Sequence, residues 1–461
     1  MVTQVQVPGG VIGNTWAFGA HIPGSSPGRV GLNREAYLVK RDTHNGIQDI
    51  MAEKTAIILA AGISTRMNTL LPKVLHEVCG RPMLAYVLDA CRQVGVVKIY
   101  VVVGFGTEQI TEQFGRPEDI VWVRQKEQKG TAHAVLCCKD HLKDFEGEVL
   151  VLCGDGPLIR AETLRTLIER HEASHSTATL GTAILDDPTG YGRIIRDAYG
   201  NIHGIVEDSD CTSRQLAIKE VNPSCYIFNS KVLFEAAERV KPDNVKKEFY
   251  LTDAVSSIIA TGHKVLAVTA VPPNEARGIN SRVQLTEANK IMQRRIQLEL
   301  MNNGVTIVDP DNTWIDIRAQ IGQDTVIEPF TYIHGEVKIG QGCRVGPFAH
   351  LRHGTVLEND VVLGVFTEVK NSTLADGVRA RHHSYIGDAA VGRNVNMGAD
   401  SITANFDGEK VNRTNIGNDC YIGSGAVLIA PLELKDGSHI SAGTVVSQEN
   451  ADKLGQKEQK D

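Results

Sequence analysis

The residues best suited to chemistry stand where apolar runs end. The run Ala56–Leu59 leads into Leu59, Ala60, Ala61 and Gly62, then Ile63-Ser64-Thr65-Arg66-Met67 and Leu71-Pro72-Lys73. Small residues at the carboxyl end of a strand let backbone N–H groups approach an anion, and Arg66 and Lys73 would neutralise its phosphates. The loop is neither G-x-x-x-x-G-K-[ST] nor G-x-G-x-x-G, so it points away from the families those patterns mark. Taken alone, the same residues also fit a solvated loop. A second concentration of polar side chains, Arg379-Ala380-Arg381-His382-His383-Ser384-Tyr385 and Asn405-Phe406-Asp407-Gly408, falls where a regular repeat is interrupted. Loops that leave a rigid scaffold are natural places for function.

That repeat is a six-residue beat of aliphatic residues. It runs through Ile321, Ile327, Ile333, Ile339, Val345, Leu351, Leu357, Leu363 and Val369, and resumes at Ile416, Ile422, Leu428, Leu434, Ile440 and Val446. Neither a 3.6-residue helix nor a period-2 strand sustains it. A triangular parallel β-helix does, because each side places one aliphatic side chain in the central prism. Glycines such as Gly322, Gly340 and Gly364 follow the aliphatic positions, where the chain rounds a corner. Two insertions, about Leu374–Ala390 and Thr403–Asn415, are expected to break the beat.

Upstream, residues 53–282 alternate apolar runs (Ala56–Leu59, Ile99–Val103, Val121–Val123, Val149–Leu152, Thr177–Ile184, Ile202–Glu207) with helical patterns (Met83–Val94, Glu162–Ser174). This predicts a mainly parallel doubly wound α/β sheet, with ligands beyond the strands' carboxyl ends. Residues 283–304 read as one amphipathic helix, with Leu285, Ala288, Ile291, Met292, Ile296, Leu298 and Leu300 on its apolar stripe. It joins the sheet to a β-helix at 305–447. Residues 1–52, rich in Gly, Pro, Asn and Ser, are expected to form a disordered or loosely ordered extension, and the polar tail 448–461 to fray.

The 461 residues carry 48 basic and 55 acidic side chains, a net charge of −7, with no basic block. That argues against a dedicated nucleic-acid or membrane surface. Nine cysteines without a C-x-x-C pair, and no secretory h-region, predict free thiols in the cytoplasm.

Together the segments resemble the sugar-1-phosphate nucleotidyltransferases, whose first loop reads L-x-x-G-x-G-T-R-(L/M) before P-K. Gln125-x-x-Gln128-x-Gly130-Thr131-Ala132-His133-Ala134, Gly154-Asp155-Gly156-Pro157-Leu158, Asp187–Ile194, Ile205-Val206-Glu207 and Gly278-Ile279-Asn280 narrow the resemblance. They point to the bifunctional family that joins an N-acetylglucosamine-1-phosphate uridyltransferase to a glucosamine-1-phosphate acetyltransferase. It implies an α/β doubly wound nucleotidyltransferase domain followed by a left-handed parallel β-helix of hexapeptide repeats.

The implied substrates are UTP, hexosamine 1-phosphates and acetyl-CoA. Mg²⁺ is the implied metal, held by Asp155 and Asn280, since it takes hard oxygen ligands and only one or two from protein. Leu59, Ala60, Ala61, Gly62, Lys73, Gln125, Gly130 and Thr131 would bind the nucleotide, with Arg66 and Lys73 catalytic. Gly192, Glu207 and Asn222 would hold the acetamido sugar. In the β-helix, His382 would be the general base, near-neutral imidazole suiting that task. Arg352, Lys370, Tyr385 and Asn396 would hold the sugar phosphate, and Ala399, Asn405 and Ser424 the acetyl-CoA. A homotrimer through the β-helix is also implied.

The chain departs from the family at Ser64 (second loop glycine), Asn222-Pro223-Ser224 (usually Asn-Thr-Gly), Ser209 (usually basic) and Phe406 (usually Tyr). Fewer coils and a missing basic extension after Val446 are expected to leave acetyl transfer weakened, altered in acyl donor, or lost. Two further readings stay open: a nucleotidyltransferase for another sugar 1-phosphate with a structural β-helix, and a non-catalytic sugar-nucleotide-binding scaffold.

Overall fold

The computed structural model describes residues 54–62 and 65–454. The extension at 1–52, the loop position Ser64 and the last tail residues lie outside them. The described chain from Lys54 onward belongs to one compact unit.

Seven strands make the main path of the α/β sheet, in the spatial order Val265–Val268, Ala178–Ile184, Glu220–Asn229, Glu148–Cys153, Lys54–Ala60, Lys98–Val103, Ile120–Arg124. All run parallel except Glu220–Asn229, which is antiparallel to both neighbours. The central strands read as unbroken apolar runs because both faces are covered. Ile57, Val102 and Val151 enter the core on one face, Ile58, Val101 and Leu152 that on the other. Met83–Gln93 and Ala161–Ser174 form the two predicted helices. Three strands escaped the sequence reading: Gly192–Arg196, Val265–Val268 and Glu220–Asn229. The last is broken by a bulge between Val221 and Cys225, so Asn222-Pro223-Ser224 resembles a turn. Pro223 is tolerated there because a bulge asks for no ladder donor.

The predicted connecting helix spans Arg282–Asn302, with the Ser281 hydroxyl capping Gln284 N. Its buried face includes Ala288, Met292 and Ile296, but also Gln293 and Gln297, while Leu298, expected in the stripe, is exposed. The glutamines are buried because they serve the next coils. Gln293 Nε2 donates to Ile315 O (2.6 Å) and its Oε1 accepts from Ile315 N (3.0 Å); Gln297 Nε2 donates to Pro310 O and Thr313 O. One core runs from Val78, Met83 and Leu158 through Met292 into the prism.

The prism follows the six-residue beat. Ile327–Val345–Leu363, Ile333–Leu351–Val369 and Ile339–Leu357 stack in parallel register at intervals of 18. At Leu357–Leu374 and Leu363–Ala380 the interval drops to 17. The expected first insertion is therefore a correction: one residue is lost per coil, and the chain stays in the wall. Arg379–Gly387 is a continuous strand paired along its length with Val362–Lys370. The second insertion is present. Thr414 and Asn415 pair with Ala389 and Ala390, an interval of 25, and Phe406 bridges Val411 in the extruded loop.

Gly322, Gly340 and Gly364 answer to close stacking rather than to a left-handed turn, whereas Gly346 takes φ +101°. A Cβ on Gly322 would lie 2.7 Å from the Gly340 carbonyl carbon. The tail departs from expectation too, because Gln448–Leu454 forms a helix and Ala451 is buried against the prism core. It closes the end of the solenoid, as terminal caps of repeat folds do.

Candidate active site

Beyond the carboxyl ends of the central strands, a cavity of about 380 Å³ is lined by Leu59, Ala60, Ala61, Gly62, Lys73, Gln125, Gly130, Thr131 and Asp155, joined by Gln128, Cys153 and Glu248. Residues spread over more than 90 positions meet because Lys54–Ala60, Ile120–Arg124 and Glu148–Cys153 all end there. Gln125, nearly fully buried, donates its amide to Gly130 O (3.1 Å) and meets His133 Nδ1 at 2.9 Å. Gly130 (φ +121°) admits no side chain, since a Cβ would lie 2.4 Å from Phe249 O. Gly62 has open space over its Cα, the room a nucleotide needs.

At one end of this cavity, Lys73 Nζ donates to Asp155 Oδ2 and, at 2.9 Å, to Asn280 Oδ1. Two hard oxygens from distant segments thus converge on one cation. Among the described residues no three His, Cys, Asp or Glu side chains cluster as metal ligands. A carboxylate plus an amide is the donor set that suits Mg²⁺, which keeps most of its shell as water or phosphate. Backbone bonds fix the geometry: Ile279 N donates to Asp155 O (3.0 Å), and Asn280 N to Gln284 Oε1 (2.7 Å) on the connecting helix. Burial, then the Asp155 charge, pushes the Cys153 thiol up to about 12, so it lines the cavity as an unreactive neutral group. Arg66 is exposed on the turn Thr65–Met67 and does not line the cavity; the structure does not bring it to the other predicted residues.

A smaller cavity of about 180 Å³ shares Leu59, Thr131 and Glu248 with the first and adds Glu207, Ser224, Tyr226, Tyr250 and Thr252. Thr252 Oγ1 donates to Glu207 Oε1 (3.0 Å), and Asn222 Nδ2 to Tyr226 Oη (2.6 Å). Desolvation raises the Glu207 carboxyl above its ordinary range, with the Thr252 bond opposing. Gly192 lies against this carboxylate, its Cβ position 3.5 Å from Glu207 Oε2. Ser224 takes φ +59°, a left-handed conformation that favours glycine. Tyr226, Thr252 and Glu248 were not singled out from sequence. They come from a strand, a helix and a loop whose meeting only the fold reveals.

On the β-helix, the predicted residues form two sets. Taking the face of Ile327, Val345 and Leu363 as the first and that of Ile333, Leu351 and Val369 as the second, His382, Ala399 and Ser424 stack at the corner between them, with Asn396 on the first. Arg352, Lys370, Tyr385 and Asn405 lie along the second face and the corner beyond it. Arg352 pairs with Glu368 (2.9 Å). Tyr385 folds over Gly387, which sits in register with Lys370. His382 is exposed, on a strand rather than a loop. A cavity of about 730 Å³ lies on the face that carries Ile339 and Leu357, against Thr373, Ala390, Asn415, Glu433 and Gln448, none of them a predicted site residue.

A MobA-like NTP transferase domain model matches residues 56–244. Hexapeptide models match twice: bacterial transferase hexapeptide (six repeats) at 318–353 and the hexapeptide repeat of succinyl-transferase at 413–448, the repeat of left-handed parallel β-helices. The bifunctional protein GlmU of Geobacillus sp. (strain WCH70) is 42% identical over 432 residues, covering 87% of this chain and 94% of that protein. GlmU of Listeria welshimeri is 40% identical over the same coverage, and that of Thermobifida fusca 40% over 85% and 89%. A structure of UDP-glucose pyrophosphorylase complexed with UDP-glucose aligns with TM-score 0.45 at 18% identity, over 53% of this chain and 99% of that one. With its nucleotide cavity, its prism and relatives matched over nearly their whole length, the chain belongs to the GlmU family of bifunctional proteins.

Proposed function

We propose that the chain transfers UMP from UTP to N-acetylglucosamine 1-phosphate in the α/β cavity, and acetylates glucosamine 1-phosphate from acetyl-CoA on the β-helix. The convergence of Asp155 and Asn280 oxygens on the Lys73 ammonium, at the end of a glycine-lined cavity, carries the first half. A phosphate oxygen of the sugar 1-phosphate attacks the α-phosphorus of UTP, and the bond to the β-phosphate bridging oxygen breaks, releasing pyrophosphate. Little covalent work falls to the protein, whose task is positioning and charge neutralisation. Gln125 and the Gly130 backbone face the base, and Lys73 neutralises phosphate oxygens. Arg66 would join it only if its loop folds over the bound triphosphate. Glu207 and Asn222 select the sugar by hydrogen bonds that a wrong sugar would leave unmade. Mg²⁺, held by Asp155 and Asn280, would supply the remaining positive charge for the phosphates.

In the second reaction His382 accepts a proton from the amino group, nitrogen bonds to the acetyl carbon, and the thioester C–S bond breaks to release coenzyme A. The two sets of acyl-site residues occupy different corners of one prism, which supports a site completed by a neighbouring chain and hence a homotrimer. Among the described residues no helix is long and apolar enough to cross a membrane, and the cytoplasm is the compartment we infer from the family.

The test is pyrophosphate release by the purified chain with Mg²⁺ and UTP. One arm receives N-acetylglucosamine 1-phosphate, the other glucosamine 1-phosphate with acetyl-CoA. Release in both arms is expected. Release in the first arm alone would confine the β-helix to a scaffold, and silence in both would reject the sugar assignment.

A further inference from the structure

We infer that Asp388 is the positioning residue of the acyl-transfer site: it sets which way Asn405 and Tyr385 present their polar atoms, and so which ligand groups they accept. The inference rests on the acetyl-transfer reading above.

Asp388 is 8% exposed and sits at the root of the extruded loop, its carbonyl accepting from Thr414 N (3.2 Å) and its N–H donating to Lys370 O (3.0 Å). Its side chain is surrounded by donors. Asn371 Nδ2 donates to Oδ1 at 2.6 Å, Asn405 Nδ2 donates to Oδ2, and Lys370 Nζ lies 3.9 Å from Oδ2. No other carboxylate among the described residues bonds to this group.

A carboxylate only accepts hydrogen bonds, so the buried Asn405 amide must face it with its NH₂. The same Nδ2 lies 3.4 Å from Tyr385 Oη, which therefore acts as acceptor in that contact. Two consequences follow from the donor inventory. Asn405 Oδ1 is left over as an acceptor, suited to an N–H or O–H donor of the ligand. The Tyr385 hydroxyl hydrogen is left over as a donor, suited to a phosphate or carbonyl oxygen. With the Lys370 ammonium beside them, the three groups make a subsite of fixed polarity: an anionic oxygen group at Lys370 and Tyr385, a hydrogen-bond donor at Asn405. The donor is either the sugar amine or an amide N–H of the coenzyme's arm. The backbone bond Asn412 N to Asn405 O (2.7 Å) holds the other end of the residue, so an amide flip is the freedom that Asp388 removes.

The experiment is a polarity swap read by acetyl-transfer kinetics, with uridylyl transfer as the control for folding. Asn405→Asp sets two carboxylates face to face and is expected to lower kcat/KM for acetyl transfer by tenfold or more, on the order of one charge-assisted hydrogen bond. Asp388→Asn frees the Asn405 amide to turn and is expected to raise KM for glucosamine 1-phosphate or for acetyl-CoA, with kcat nearly kept. Whichever KM moves names the source of the donor. The double variant Asp388→Asn/Asn405→Asp restores one donor facing one carboxylate, but Tyr385 must then donate to residue 405, so uridylyl transfer is kept while the acetyl-transfer KM stays raised. Wild-type KM values in Asp388→Asn, or wild-type acetyl-transfer KM values in the double variant, would overturn the inference. A wild-type chain without acetyl transfer would instead overturn the reading on which it rests.

Discussion

The nucleotide cavity and the acyl-transfer surface are built by opposite means. The cavity gathers residues from Leu59 to Glu248 from strand ends and the loops beyond them, and its charged groups already neutralise one another, Lys73 standing between Asp155 and Asn280. The β-helix writes its site along the surface, coil upon coil, so that Arg352 and Lys370, or His382 and Ala399, are near because the coils repeat every 17 or 18 residues. A sheet end makes a pocket within one chain, whereas a prism wall makes a column of side chains that needs a second surface to become one. Each activity is therefore vulnerable in its own way: the first to loss of one charge, the second to loss of register.

The largest effect should therefore come from the charge centre. In Asp155→Ala the Lys73 ammonium keeps only Asn280, and uridylyl transfer is expected to fall by about 10³-fold or more, as when a phosphoryl-transfer site loses its cation or its charge partner. Acetyl transfer, measured in the same preparation, should not change. Equal loss of both would break the separation of the two regions. His382→Ala is the mirror test, with acetyl transfer falling by about 10²- to 10⁴-fold, the span of a lost general base, and uridylyl transfer kept. Unchanged acetylation there would move the base elsewhere along the same corner.

Much of this organisation is legible in the sequence, for physical reasons that also mark where legibility stops. The prism positions show because each must be filled by one aliphatic side chain, so Ile321 to Val369 keep strict time. In the sequence the 17-residue coils are indistinguishable from an insertion because a loss and a gain both break phase, and only the pairing of Leu357 with Leu374 tells them apart. Leu59, Gly62, Lys73, Gln125, Gly130, Thr131 and Asp155 were legible through their order, and the cavity unites them. Asp388, Thr252 and Glu248 were not, since an isolated acidic or hydroxyl residue carries no signal until its neighbours are known. Gln293 and Gln297 carry no signal in the helix pattern, since their burial depends on backbone groups of coils that lie beyond that helix.

A subtler test of the cavity uses pH. Desolvation holds the Glu207 carboxyl above its ordinary range, so its ionisation opposes folding. The sign follows: this group contributes no penalty below its unfolded value, and stability is lost as pH rises through the raised folded value. Glu207→Gln should therefore match the wild-type melting temperature in acid and exceed it at neutral pH. The same variant should raise KM for N-acetylglucosamine 1-phosphate by about tenfold, the worth of a charge-assisted hydrogen bond, and abolish the acid limb of that KM. A neutral-pH melting temperature at or below wild type would mean the carboxylate is well solvated or well paired, and not strained by burial.

The smallest effect is expected at Ser224, where the two regions differ in how they meet left-handed backbone. The β-helix places Asp or Asn at several such positions, Asp324, Asp360, Asn394 and Asp400 among them, residues whose short polar side chains tolerate it. The sugar loop places a serine at φ +59° beside Pro223. A left-handed residue with a Cβ costs about 1–2 kcal/mol relative to glycine. Glycine returns roughly 0.5–1 kcal/mol of that through the entropy of the unfolded chain. Ser224→Gly should thus stabilise the α/β region by only about 0.5 kcal/mol, a rise of about 1–2 °C in its melting transition. Because Ser224 lines the smaller cavity and its N–H donates to Asn222 Oδ1 (3.2 Å), the change also loosens the residue that faces the sugar. A stability gain with unchanged KM for the sugar phosphate would show Ser224 to be a strained substitute for glycine. A rise in KM without a gain in stability would show that the strain is kept because it aims Asn222.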